Sequence, residues 1–194
     1  MYEYIHGKIT GLTPANAVIE AGSIGYFINI SLNTYSLVNG KDQAKLFLHQ
    51  VVREDAHLLY GFAEEAEREL FRLLISVNGI GSSTALMMLS SLNPAEIREA
   101  ILSENVNLLK SIKGIGAKTA QRVIIDLKDK IGKGPATDQI LISSTDNTIR
   151  NEALSALVML GFAKKSIEKE LDKILKANPN VTVEEMIKMA LKGL

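Results

Sequence analysis

The pattern of apolar and polar positions changes period once along the chain, near residue 64. Before that point short runs tend to alternate: Gly7-Lys8-Ile9-Thr10-Gly11, Ala17-Val18-Ile19-Glu20, Tyr26-Phe27-Ile28-Asn29-Ile30, Lys45-Leu46-Phe47-Leu48-His49-Gln50-Val51 and Leu58-Leu59-Tyr60-Gly61-Phe62. A period of two sends successive side chains to opposite faces of an extended strand. Turn formers punctuate the runs at Thr13-Pro14-Ala15-Asn16, Glu20-Ala21-Gly22-Ser23 and Asn39-Gly40-Lys41-Asp42. About five short strands of this kind close naturally into a small antiparallel barrel. The expected version over residues 1–64 is a five-stranded OB-fold.

From Glu64 onward the period is that of a helix. Apolar runs at Leu70, Phe71, Leu73, Leu74 and at Val106, Leu108, Leu109 each lead into a glycine pair. Between them Asn93-Pro94-Ala95-Glu96 offers an N-cap, a first-turn proline and a capping-box glutamate. Ser103 is expected to cap the following helix. A longer helix over 117–131 stops at Gly132-Lys133-Gly134-Pro135, and residues 136–147 have linker composition apart from Ile140-Leu141-Ile142. Three more helices follow, at 148–160, at 163–177 and after Thr182, which has Glu185 three residues on. Their stripes (Leu154, Leu157, Leu160; Ile167, Leu171, Ile174, Leu175; Met186, Met189, Leu191) predict a three-helix core. The expected organisation is a barrel at 1–64, a helical domain at 65–142 running into a linker, a flexible linker at 143–147 and a three-helix module at 148–194.

One pattern is written twice, 35 residues apart: Val77-Asn78-Gly79-Ile80-Gly81-Ser82-Ser83-Thr84-Ala85 and Ile112-Lys113-Gly114-Ile115-Gly116-Ala117-Lys118-Thr119-Ala120, identical at five of nine positions. Each copy reads as helix, tight Gly-Ile-Gly turn, helix. Bare glycine backbone lets amide N–H groups at the start of the second helix point outward together, an arrangement that suits an anion. Two such sites side by side suit two phosphates of a nucleic-acid backbone. A nucleotide-binding P-loop is excluded, because Ile112 and Ala117 stand where its glycines belong before Lys118-Thr119. A dinucleotide fingerprint lacks both its preceding strand and its third glycine.

A net charge of zero argues at first against nucleic acid, but the charge is unevenly spread. Residues 105–134 hold 7 Lys and Arg against 2 Asp and Glu, and they surround the second copy of the repeat, where phosphates would need neutralising. The absence of cysteine suits a reducing cytoplasm, and no leader-like or long apolar segment is seen, so a soluble, cytoplasmic protein is expected.

Catalytic constellations are scarce. His49 and His57 near Glu54-Asp55 form the single imaginable metal cluster, without the tight spacing that metal sites favour. There is no nucleophile elbow and no cysteine nucleophile. Glu54-Asp55, between two apolar strands, reads either as a solvated hairpin tip or as a device that repels phosphates and bars a duplex from crossing.

In order, Val51-Val52-Arg53-Glu54-Asp55-Ala56-His57-Leu58-Leu59-Tyr60-Gly61-Phe62, the paired Asn78-Gly79-Ile80-Gly81 and Lys113-Gly114-Ile115-Gly116, and Lys118-Thr119-Ala120-Gln121-Arg122 resemble the RuvA family of Holliday junction branch-migration subunits. The likeness runs over essentially the whole chain, in the C-terminal part by pattern more than by residue. It implies an OB-fold, a tandem helix-hairpin-helix domain and a mobile three-helix domain, assembled as a tetramer or a face-to-face octamer on a four-way junction. It casts Glu54 and Asp55 as an acidic pin at the crossover. Gly79, Ile80, Gly81, Lys113, Gly114, Ile115 and Gly116, with Lys118 and Arg122, would hold the DNA arms through their phosphates. It implies no catalytic residue, metal or cofactor of the chain's own. An ATPase motor of the RuvB type would bind through 148–194, a resolvase of the RuvC type would join a larger complex, and the setting would be recombination, DNA repair and the SOS response. The chain departs from the pattern after the first hairpin, where Ser82-Ser83-Thr84 stands in place of an expected lysine. The rival readings are a junction or flap nuclease that uses the hairpins for grip, and a protein-interaction scaffold.

Overall fold

The computed structural model describes residues 2–132, 145–178 and 181–193. Its N-terminal strands are β1 (Tyr4–Leu12), β2 (Asn16–Ala21), β3 (Ile24–Ile30), β4 (Gln43–Val52) and β5 (His57–Phe62), closed into a barrel in the order β1-β2-β3-β5-β4. All pairings are antiparallel except β3 with β5, where Asn29 faces Tyr60 and Ile30 faces Gly61. Alternation places Ile5, Ala17, Ile19, Ile28, Ile30, Leu46 and Leu48 inside, so the expected five-stranded OB-fold barrel is present. A register shift in β1 between Ile9 and Gly11 bends that strand as closure requires.

A short helix not anticipated from periodicity, α1 (Leu32–Val38), joins β3 to β4. Ser31 caps it by accepting from the Thr34 amide at 2.9 Å. Seven residues are too few for a helical period to stand out, and the cap is the signal that a sequence reading can use.

The helices that follow are α2 (Glu65–Ile75), α3 (Ser82–Ser91), α4 (Pro94–Leu102), α5 (Val106–Lys110) and α6 (Ala117–Gly132). The capping box at Asn93 forms, with Asn93 and Glu96 exchanging bonds of 2.9 and 2.8 Å. The expected cap at Ser103 does not. Ser103 instead closes α4, Glu104 takes a left-handed φ of 55°, and the Asn105 and Glu104 amides bond back to the Ala100 and Ile101 carbonyls at 2.8 and 3.3 Å. Asn105 then starts α5 by accepting from the Leu108 amide. A Schellman-type ending consumes the residues around Ser103, so the cap falls two residues later.

The chain divides into two compact units, Met1–Pro135 and Ala136–Leu194. The change of period at residue 64 therefore does not separate two packing units. Tyr60 and Phe62 of the barrel belong to the same apolar core as Leu70, Phe71, Leu74, Met88, Leu89, Val123 and Leu127 of the helices. Phe71 is fully buried and meets the rings of His49, Tyr60 and Phe62 with centroids 5.4, 5.1 and 5.0 Å away. Polar groups reinforce this joint. The buried carboxylate of Glu67 on α2 accepts from both Ser31 and Thr34, and the Thr34 hydroxyl also accepts from the Ala63 amide. Arg68, 2% exposed, reaches across the joint to the carbonyl and carboxylate of Glu3.

The second unit holds α7 (Thr145–Met159), α8 (Lys164–Ala177) and α9 (Val183–Gly193) around Leu157, Ile167, Leu171, Ile174 and Met186. Gly161 has a φ of 93°, and the Phe162 and Gly161 amides bond back to Leu157 and Val158, which ends α7 where the sequence places a turn. Thr182 and Glu185 exchange capping bonds of 3.2 and 3.3 Å at the start of α9. Three residues of the expected stripes lie outside the core: Leu160 at the end of α7, and Met189 and Leu191 on α9, whose buried face is Met186 and Ala190. Of the linker expected at 143–147, residues 145–147 open α7, while 143–144 lie outside the described residues, as do 133–142 and the Pro179-Asn180 break. Among the described residues no helix is long and apolar enough to cross a membrane.

Candidate nucleic-acid interface

The sequence repeat is a repeat of hydrogen bonds. In the first copy Ile80 N bonds to Val77 O at 3.0 Å and Ala85 N to Gly81 O at 2.9 Å; in the second Ile115 N bonds to Ile112 O at 3.1 Å and Ala120 N to Gly116 O at 2.9 Å. The match extends upstream, where the Ser76 and Ser111 hydroxyls each close the preceding helix on the Leu73 and Leu108 carbonyls at 2.7 Å. Gly79 and Gly114 have φ values of 93° and 90°, the left-handed region that L side chains resist.

The glycine pairs therefore divide the work. Gly79 and Gly114 make the turn, whereas Gly81 is extended (φ −83°, ψ 167°) and stands at the N-cap of α3 with no side chain capping the helix. Neither Gly81 nor Gly116 has an atom within 4 Å of where a Cβ would lie, so both hairpins present bare backbone to solvent. With no side-chain cap, the first amides of α3 point into that space. The Ile80 and Ile115 side chains are buried, and their amides bond to the Val77 and Ile112 carbonyls inside the turns.

The two hairpins are neighbours. Arg122 on α6, after the second hairpin, donates to the Asn78 carbonyl in the first at 3.3 Å. Lys113, Lys118 and Arg122 are all exposed, and a shallow groove on α6 is lined by Lys118, Gln121, Arg122, Ile125 and Asp126. Lys128 is committed to Glu104. The basic character read from the sequence is thus concentrated on one hairpin, and the first carries no Lys or Arg between Ile75 and Ile97.

Glu54 and Asp55 are exposed at the tip of the β4–β5 hairpin, where Arg53 N bonds to Ala56 O at 2.8 Å. The hairpin is tied to the helices by a contact the sequence reading missed. Ser82, the first residue of α3 and 5% exposed, receives the Tyr60 hydroxyl at 2.9 Å and an Arg53 guanidinium nitrogen at 3.4 Å. The clue in the sequence is that Ser82 breaks the repeat, its counterpart being Ala117. His49 packs edge-on against Phe71, and burial together with the Arg72 and Arg68 charges holds its pKa below the usual value. Among the described residues no group of three or more His, Cys, Asp and Glu is placed to hold a metal ion.

Comparison with known proteins finds three family matches along the chain. Residues 1–61 match the RuvA N terminal domain, residues 71–129 the SAM-like helix-hairpin-helix tandem, and residues 148–194 the RuvA C-terminal domain. The chain is 54% identical over its full length, and that of the relative, to the Holliday junction branch migration complex subunit RuvA of Christiangramia forsetii. Identities to the proteins of the same name from Bacteroides thetaiotaomicron and Porphyromonas gingivalis are 52% and 48%, again covering both chains completely. With three matched domains in order and about half of all residues shared over the whole length, the chain belongs to the RuvA family.

Proposed function

We propose that this protein binds four-way DNA junctions, holds them open and delivers them to a separate ATPase motor for branch migration in recombination and repair. The observation that supports this most is the joining of two equivalent backbone-presenting hairpins and an acidic hairpin tip within one packed unit. Amides beside Gly79, Gly81, Gly114 and Gly116, with Lys113, Lys118 and Arg122, grip two phosphates of an arm without reading bases. Glu54 and Asp55 project from the same unit, and two carboxylates held near converging phosphates disfavour a continuous duplex across that point. Four copies around a fourfold axis provide one grip for each arm and gather four acidic tips at the centre. A second ring of four closes over the other face of the junction in the octameric version.

The module at 148–194 recruits a RuvB-type motor, and a RuvC-type resolvase acts on the same junction. Motor docking fits the exposure of Val158, Met159 and Leu160 at one end of α7. The chain itself supplies no catalytic step, and it works on chromosomal DNA in the cytoplasm.

The test is a gel-shift titration of a labelled synthetic four-way junction against excess linear duplex, with Mg²⁺ present. Strong junction preference without cleavage is the expected result. Equal affinity for plain duplex overturns the junction reading, and specific cleavage overturns the non-catalytic one.

A further inference from the structure

The two hairpins have the same backbone but not the same charge. The second carries Lys113 before its glycines and Lys118 after them; at the equivalent positions the first has Asn78 and Ser83. From Ser76 to Ser91 the first hairpin contains no basic residue. A duplex arm lying on both would be held by ammonium and guanidinium groups at one end and by neutral backbone at the other.

The barrel offers a remedy. Arg53 lies next to Glu54 and Asp55 in sequence, yet among the described residues it forms no ion pair with any carboxylate. Its guanidinium turns instead to the first residue of α3, 3.4 Å from the Ser82 hydroxyl, and the residue remains exposed. Ser82 is fixed by the buried Tyr60 hydroxyl, so the point on which the guanidinium rests is itself held by the shared core. A guanidinium has five N–H donors in a rigid plane, so a single contact with Ser82 leaves donors free. The second hairpin needs no such arrangement, because Ala117 replaces Ser82 and Lys118 replaces Ser83.

We propose that Arg53 is a phosphate-binding residue of the first hairpin, supplied from the barrel in place of the missing lysine, and that Ser82 positions it. This rests on the junction-binding reading and deepens it. The residue that begins the acidic turn then grips a DNA arm, so the tip and the grip move as one body. Arm phosphates are attracted at Arg53 and repelled one and two residues later, which marks the place where an arm must leave its path through the centre.

The test compares the full-length wild type with R53Q, S83K and the double variant R53Q/S83K, measuring junction affinity across a salt series. Losing one phosphate contact on duplex DNA lowers the magnitude of the log–log salt slope by roughly 0.9 per subunit engaged. R53Q is expected to show that loss, and S83K in the same chain is expected to restore it, because a lysine there returns the charge to the hairpin rather than to the acidic tip. An unchanged slope in R53Q overturns the proposal. So does a loss of affinity that S83K fails to rescue, since Arg53 would then be holding the turn or balancing the carboxylates. Failure of the wild type to prefer junctions sinks the junction reading itself, whatever R53Q does.

Discussion

The two glycines of each hairpin respond differently to a methyl group, and this separates folding from grip. Gly79 and Gly114, with φ of 93° and 90°, have no atom within 4 Å of an added Cβ, so alanine there meets no neighbour and suffers only backbone strain. That strain is about 1–2 kcal/mol per site for an L residue in the left-handed region. For a chain of this size each kcal/mol lowers Tm by roughly 2–4 °C. Gly81 adopts φ −83°, which alanine takes freely, and Gly116 has no positive φ either. Alanine at these positions loses a little at the N-cap and gains about 0.4–1 kcal/mol by restricting the unfolded chain, leaving stability nearly unchanged. A phosphate seated on the bare amides, however, meets the new methyl directly. Losing one hydrogen bond to a charged group costs about 1.5–3 kcal/mol, tenfold or more in affinity for each contact. G81A/G116A is therefore expected to melt like the wild type and bind junctions at least about tenfold more weakly, whereas G79A/G114A melts several degrees lower. Thermal melts and junction titrations on both variants provide the check. Wild-type affinity in a fully folded G81A/G116A would refute the reasoning, leaving the glycines as turn formers only.

Replacing Lys118 and Arg122 with alanine should reduce the salt slope of junction binding by close to one per lost contact, and an unchanged slope removes them from the interface. R122A should cost more than K118A at equal slope, because Arg122 also donates to Asn78 across the two hairpins. E54Q/D55N should keep or raise junction affinity while relaxing the preference for junction over duplex; a collapse in affinity would mean that these acids support the fold or bind something else. Burial raises the Glu67 carboxyl above its usual value of 4.5, against the pull of the Ser31 and Thr34 hydroxyls. The folded protein thus binds this proton more tightly than the unfolded chain. The Glu67 contribution is fullest below pH 4.5 and is lost as pH rises through the higher folded value. Unfolding free energies of wild type and E67Q, compared from neutral pH downward, should diverge in favour of the wild type as pH falls and then level off. A difference flat with pH would refute this account.

Local patterning was enough to read much of this protein. Period-two runs produced the five strands, because alternation is a property of each strand alone. The Gly-Ile-Gly repeat identified two equivalent turns, because glycine adopts the φ near 90° of Gly79 and Gly114 without the strain that an L side chain meets there, and the Asn93 and Thr182 capping boxes follow from residues three positions apart. What local patterning could not supply are relations between residues far apart in sequence. The short α1 is tied to Glu67 on α2 through Ser31 and Thr34, whose partner lies more than thirty residues on. Leu160, Met189 and Leu191 share an apolar character with their neighbours but fall off the buried face, which depends on where the other helices lie. The meeting of Arg53, Tyr60 and Ser82 spans up to 29 positions and appears in the sequence only as a lapse in the repeat. By itself, the sequence determined the kinds of element, the duplicated turn and the family, because short-range stereochemistry and residue identity carry them. Tertiary structure alone decided that barrel and hairpins share one core and that Arg53 of the barrel meets the first hairpin, because both depend on packing between segments that no local period describes.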